Sequence, residues 1–376
     1  MLIAPHPDDE ALACSVVLQR AVRADAAIRI LYATDGDNNP WPQRFLERKW
    51  RLGAADRQRW GKLRRAEALA ALRILGVHRS AACFLALPDQ GLTGLLTTNC
   101  RSAFEQLATS IGRWSPTDLL VPSTRDTHPD HNALAVMLRL IQGNLYPDEP
   151  PMSVWSYAVH GKSKAFLDRA QELGQSKTET EIKEQAIRSH QTQLKLSPRR
   201  FLAYAARPER FLKLESCELT HIDGPIQGIS RHTRVLRVKL RLPIKLTGTA
   251  ATTLLVMGHD LAGSVRCVRM KVPVHSFTVE VFDCHTGERI DLARYRGNAF
   301  AGEFTIPVDI FSPAHALFVK LKRRTWFFDE VGWLEARRLQ PGATPTREIA
   351  ASSARNAVSI SSPRGTKRFP SPRLRG

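Results

Sequence analysis

Two short stretches hold the residue types from which catalytic sites are built. HPDDE, at His6–Glu10, sets an imidazole ahead of three consecutive carboxylates, and THPDH, at Thr127–His131, sets two imidazoles around one carboxylate. Adjacent carboxylates repel one another and are costly to bury unless something positive sits among them. Imidazole and carboxylate together suit zinc or iron, and three protein ligands plus a water make a catalytic site rather than a structural one. Taken singly, each cluster also fits a polar turn with an Asp at a helix start. What separates the two readings is where the chain places the clusters.

The first half alternates strand-like and helix-like segments. The apolar runs MLIAP, IRILYAT, ACFLALP, DLLVPS and MSVWSYAV read as strands, and the stretches between them carry helical spacing. Leu12, Val16, Val17 and Ala21 predict a helix from about Glu10 to Ala24, RRAEALAALRILGV predicts one that stops at Gly76, and residues 162–193 read as helical. Such alternation implies a Rossmann-like, mostly parallel sheet with helices on both faces. Ligands of open α/β sheets bind outside the carboxyl ends of the strands. HPDDE follows the first strand and THPDH follows DLLVPS, so both clusters are expected at one sheet edge. The first strand is short for a parallel strand, which leaves little chain behind the site's first wall.

From about Thr220 the period changes to two. RVLRVKLRL, TTLLVMG, VRCVRMKVPV, SFTVEVFD, EFTIPVDIF and ALFVKLKR read as alternating between short turns and predict an antiparallel β-sandwich. Residues 341–376 are rich in Pro, Ser and Arg without periodicity and read as a disordered basic tail. The expected domains are therefore 1–212, 213–340 and 341–376. The six cysteines, at 14, 83, 100, 217, 267 and 284, form no CxxC pair and read as reduced thiols of a cytoplasmic protein. No apolar run of 18 residues is present, and the N-terminus shows no secretory signal pattern. The formal net charge of +19 favours polyanionic partners. Nine Lys or Arg against two acids lie in Arg44–Arg65, interleaved with Trp50 and Trp60, and seven against one lie beyond Pro341.

PHPDDE and HPDH, in this order and spacing, resemble the PIG-L/LmbE-like family of metal-dependent de-N-acetylases. The likeness runs over roughly residues 1–195, through TDGD, RRAEALAALRILGV, LPDQGL and KEQAIRSHQTQ, and does not reach the β domain or the tail. It implies His6, Asp9 and His131 as metal ligands and Asp8 as general base. It implies His128 as the charged or hydrogen-bonding group beside a developing oxyanion, with Asp130 setting its pKa. Zn2+ is the expected metal, and Fe2+ suits the same donors. Arg64 matches a family position that tends to face substrate, and Asp37 is assigned to the pocket wall with it.

Several residues keep two readings. Glu10 either opens a helix or supports the site from behind, Asp35 and Asp37 either line the pocket or close a turn, and His190 either approaches the pocket or packs structurally. Arg44–Arg65 is either a solvated helix or a lid that grips an anionic group or membrane. The leading expectation is a zinc-dependent hydrolase acting on linear amides. It would remove an N-acetyl group from an N-acetylglucosamine-type sugar in a glycoconjugate or glycolipid. Hydrolysis of another amide, as in mycothiol-conjugate amidase, is the alternative within that class. A non-catalytic binder of anionic surfaces or nucleic acid is the alternative outside it, with nucleic acid disfavoured as the main ligand. Metal-assisted phosphoester hydrolysis usually calls on more carboxylates or two metals. The oligomeric state is not readable.

Overall fold

Alternate residues of the short first strand carry the logic of the N-terminal half. Leu2 and Ala4 of β1 (Leu2–Ala4) face one buried layer while Ile3 faces another. β2 (Ile30–Thr34) repeats the division, with Ile30 and Tyr32 on one side and Leu31 and Ala33 on the other. A strand apolar on both faces must be covered on both, which is the condition of a parallel sheet clothed in helices.

In this computed structural model, the described residues are 1–145, 152–161, 163–214, 224–242, 252–325 and 327–336. The remaining strands of the first sheet are β3 (Ala82–Leu87), β4 (Asp118–Pro122), β5 (Ser153–Tyr157), β6 (Gln171–Leu173) and β7 (Glu209–Lys213). Their order is β3-β2-β1-β4-β5-β7-β6; the first five are mutually parallel, β7 pairs antiparallel with β5, and β6 pairs antiparallel with β7. The sheet is thus mostly parallel, as the alternation implied.

The helices are α1 (Asp9–Ala13), α2 (Ser15–Arg23), α3 (Pro40–Glu47), α4 (Ala54–Ile74), α5 (Leu92–Thr97), α6 (Arg101–Trp114), α7 (Pro129–Leu145), α8 (Lys164–Leu167), α9 (Lys177–Ser189), α10 (Gln191–Leu194) and α11 (Pro198–Leu202). The helix expected over Glu10–Ala24 is two helices that break at Cys14. The region expected to be helical over 162–193 contains the strand β6, which pairs with β7 and so follows tertiary pairing over local propensity.

The second half is antiparallel throughout. Its strands are β8 (Ile226–Arg231), β9 (Val235–Arg241), β10 (Thr253–His259), β11 (Val265–Lys271), β12 (His275–Asp283), β13 (Arg289–Asn298), β14 (Ala301–Pro307), β15 (Leu317–Lys322), β16 (Arg324–Thr325), β17 (Phe328–Asp329) and β18 (Leu334–Ala336). Nine of them form one continuous sheet, β18-β15-β10-β11-β12-β13-β14-β9-β8. It curls over its own core of Val238, Val256, Val268, Tyr295, Phe304 and Val319, so that its two edge strands approach one another. β16 and β17 stand apart as a small hairpin. The tail expected at 341–376 lies outside the described residues.

Residues 1–339 are one compact unit, and the β half docks on α7. Leu255, Met257 and Phe318 turn away from the β core and join Leu134 and Met137 in the core of the α/β half. Beside this apolar contact, the buried Lys320 ammonium donates to the Asp329 carboxylate and to Asn132 Oδ1, and Asn132 Nδ2 donates to Asp329. Gly332 sits so close to the 124–125 loop that a Cβ there would lie 1.9 Å from the Thr124 carbonyl oxygen. Removing one partner of a buried pair strands the other charge. Lys320→Met is therefore expected to cost about 3–5 kcal/mol in chemical denaturation. A loss below about 1 kcal/mol, the usual worth of an exposed pair, would contradict that reading.

Candidate metal centre

β1 and β4 are neighbours at the point where the strand order reverses, and HPDDE and THPDH leave their carboxyl ends. The two clusters, more than a hundred residues apart in the chain, therefore meet. His6 Nδ1 lies 3.2 Å from His131 Nε2, Asp9 Oδ2 lies 3.7 Å from His6 Nδ1, and the other oxygen, Asp9 Oδ1, lies 3.5 Å from His131 Nε2. Ligand atoms held tetrahedrally at about 2.0–2.1 Å from zinc stand roughly 3.3 Å apart, so these gaps suit a common divalent cation. Among the described residues, two donor sets bring one ligand atom from each residue within 4.8 Å of one another, His6, His128 and His131, and His6, Asp89 and Asp130; Asp9 is in neither. His6 belongs to each.

The second ring nitrogens are committed elsewhere. His131 Nδ1 faces Asp126 Oδ2 at 3.2 Å, and His6 Nε2 faces Asp89 at 3.2 Å and Asp130 at 3.4 Å. Carboxylates behind liganding imidazoles fix the ring orientation and tautomer. Asp126 is itself held by the backbone N–H groups of His128, Val159 and His160. Neither Asp126 nor Asp89 was expected from sequence. Their signals were an Asp two residues before HPDH and the LPDQ turn after β3.

Burial and charge set the protonation states. Burial pushes His6 down, but hydrogen bonds to Asp130, Asp89 and Asp9 outweigh it and hold the ring well above its ordinary pKa. Burial likewise opposes ionisation of Asp9, yet His131 and His6 bring its carboxyl far below the usual range. Burial raises Asp8 to about 6 against the pull of Arg64. His128 is driven well below its ordinary pKa by burial, with His6, His131 and His160 adding to the effect.

Asp8 sits on strained backbone, at φ 147°. Its N–H donates to Glu10 Oε2 at 3.0 Å, and Glu10 Oε1 pairs with the buried His190 Nε2 at 2.8 Å. Glu10 thus opens α1 and also supports the site, and His190 acts through it. Arg64 donates to Asp8 Oδ2 at 2.9 Å and to the carbonyls of Pro7 and Gly36. Gly36 has φ 61°, and a Cβ there would lie 1.7 Å from the Arg64 guanidinium. Arg64 touches the cavity but is spent on the Asp8 loop. Asp37 stands outside the cavity lining, and Asp35 is bound by Arg65.

One expected pairing is corrected. The Asp130 carboxylate accepts the N–H groups of Gln90 and Leu92 and faces His6, not the His128 ring. It is the Asp130 backbone N–H that meets His128, at Nδ1, 3.2 Å away. A neutral His128 that accepts at Nδ1 carries its proton on Nε2, so it is an N–H donor rather than a cation.

These groups open into a cavity of about 580 Å³. His6, Asp8 and His128 line its polar part, and Trp41, Leu196, Phe201, Phe327 and Phe328 line its apolar part.

Residues 1–141 match the PIG-L family model, described as GlcNAc-PI de-N-acetylase, so this part of the chain carries a PIG-L domain. The N,N'-diacetylchitobiose deacetylase from Pyrococcus horikoshii is 18% identical, with 57% of this chain and 82% of that one covered and a TM-score of 0.44. A deacetylase of teicoplanin biosynthesis is 18% identical, with 57% and 98% covered and a TM-score of 0.41. The 4-carboxy-2-hydroxymuconate hydratase GalB from Pseudomonas putida KT2440 is 17% identical, with 59% and 98% covered and a TM-score of 0.39. No curated protein matches the chain.

Asp126→Asn removes the carboxylate behind His131 while preserving shape. It is expected to weaken divalent-metal affinity about 10- to 100-fold in a calorimetric zinc titration, with the fold retained. Unchanged affinity would show that His131 does not hold metal through Nε2.

Proposed function

We propose that the chain is a metal-dependent de-N-acetylase, acting on an N-acetylglucosamine-type sugar within a larger glycoconjugate. The observation that carries this is the juxtaposition of the His6, Asp9 and His131 ligand atoms with an Asp8 carboxylate that faces the same cavity. The PIG-L match supports the reaction class. Zn2+ fits the mixed imidazole and carboxylate donors, and Fe2+ would be accepted by the same set.

A divalent cation bound there supplies Lewis-acid polarisation of a carbonyl and a more acidic water. Asp8, held by Arg64 and ionised near neutrality, takes the proton of the attacking water. His128 Nε2–H donates to the carbonyl oxygen as negative charge gathers on it, a role that needs no protonated ring. Asp8 then returns the proton to the departing amine. Glu10 and His190 keep the Asp8 backbone in place.

Asp8→Asn is expected to keep the metal and lower kcat by about 10²–10⁴-fold in an acetate-release assay. Arg64→Gln removes the cation that opposes the rise of the Asp8 pKa. The base must be ionised to act, so the acid limb of kcat/KM against pH should move upward in this variant. Full activity in Asp8→Asn, or an unmoved limb in Arg64→Gln, would remove Asp8 from the mechanism.

We further propose that the segment around α3 seats the enzyme on an anionic bilayer that presents the substrate. Trp41, Phe45, Leu46 and Trp50 are all exposed, and the Arg44 guanidinium stacks on both Trp41 and Trp50. Aromatic and basic side chains together suit the headgroup region of an anionic surface. Among the described residues no helix is long and apolar enough to cross a membrane. Sedimentation with vesicles of phosphatidylserine and phosphatidylcholine should fall about fivefold or more in Phe45→Ala/Trp50→Ala, with binding to pure phosphatidylcholine weak throughout. Equal binding by variant and wild type would refute this contact.

A further inference from the structure

The β half reaches into the cavity. The β16–β17 hairpin carries Phe327 and Phe328 to its wall, although the family match ends at residue 141. The Phe327 ring lies 5.0 Å from the His128 ring, edge to face, and Phe328 lies 5.3 Å from His160. The two phenyl rings are themselves perpendicular at 5.2 Å.

This placement is enforced. Asp329, next in the chain, is tied through its side chain to Lys320 and Asn132, and its backbone N–H donates to the Thr127 carbonyl at 2.8 Å. A few residues on, the Trp333 N–H donates to the Thr124 carbonyl at 2.7 Å. Both anchors grip the loop that carries His128 and leads into α7, whose first turn carries His131. Arg200, which lines the same cavity, sets its guanidinium 5.8 Å over Phe328.

Both phenyl rings remain half-exposed, and they face a cavity rather than a core. A phenyl ring left partly in water forfeits burial it would otherwise gain. Here a buried ion pair holds two of them in that position, in a lining they share with Trp41. Such a wall fits a flat or ring-shaped apolar group.

We propose that Phe327 and Phe328 form a specificity subsite, supplied by the β half, for an apolar ring-bearing aglycone joined to the N-acetylated sugar. This rests on the deacetylase reading for its reaction but not for its ligand contact. The two residues are specificity determinants; the proton-handling groups lie elsewhere.

The test compares zinc-loaded wild type with Phe327→Ala, Phe328→Ala and Phe327→Leu, the last keeping apolar bulk without the ring. Acetate release is followed from p-nitrophenyl N-acetyl-β-D-glucosaminide and from free N-acetylglucosamine. Each alanine variant should raise KM for the aryl glycoside about tenfold more than KM for the free sugar, as lost ring contacts imply, while any effect passed through the His128 ring lowers kcat on both substrates alike. Phe327→Leu should fall between. Equal rises in KM on both substrates, or no rise on either, would overturn the subsite. A second arm measures calorimetric binding of p-nitrophenyl β-D-glucoside, which has no acetamide. Weaker binding to the alanine variants, with no acetate released by wild type, would sustain the subsite and remove the deacetylase reading. Equal binding by all four proteins would remove the subsite whether or not acetate is released.

Discussion

Asp8, Asp9, Glu10, Asp89, Asp126 and Asp130 are all withdrawn from water beside one another at the carboxyl edge of the parallel sheet. Isolated, each would be driven toward its neutral form. The surrounding structure supplies each of them with a partner. Arg64 serves Asp8, His190 serves Glu10, backbone N–H groups serve Asp126 and Asp130, and His6 and His131 stand between carboxylates on either side. The two histidines turn one nitrogen each toward supporting carboxylates and the other toward the shared space near Asp9. That division makes the cluster a candidate cation site rather than a set of polar turns.

The β half is coupled to the same cluster. Asn132 follows His131 directly, and its side chain is fixed by Lys320 of the second sheet and by Asp329 of the β16–β17 hairpin. The loop bearing His128 and the first turn of α7 bearing His131 are therefore held from β4 on one side and from the β half on the other. Coupled in this way, the hairpin that closes the cavity cannot shift without disturbing the histidine loop.

Much of this was legible in the sequence, for reasons that can be named. Strand–helix alternation predicts the parallel sheet because a strand apolar on both faces has few other homes. The two His/Asp clusters fall at strand ends, so topology brings them together, and His6, Asp9 and His131 do converge. Less legible were contacts set by tertiary structure alone. Asp126 and Asp89 look like ordinary turn residues, and their role depends on which imidazole the fold turns toward them. Arg64 reads as substrate-facing until Gly36 and Asp8 are seen to occupy its guanidinium. Asp130 sits two residues from His128, but the start of α7 turns its carboxylate toward Gln90, Leu92 and His6. The run TLLVMG of β10, expected to alternate, is instead buried along nearly its whole length, against the β core and against α7, and single-sequence periodicity does not say what covers the second face. Phe327 and Phe328 gave no signal, since nothing local connects a hairpin near residue 327 to a histidine at 128.

The central claim is that one cation is held by His6 Nδ1, Asp9 and His131 Nε2. Anomalous X-ray diffraction at the zinc edge, on crystals of the zinc-loaded chain, tests it most directly. The account predicts a single strong peak among those three donors. A peak on the other side of the His6 ring, among Nε2, Asp89 and Asp130, or no peak at saturating zinc, would contradict it.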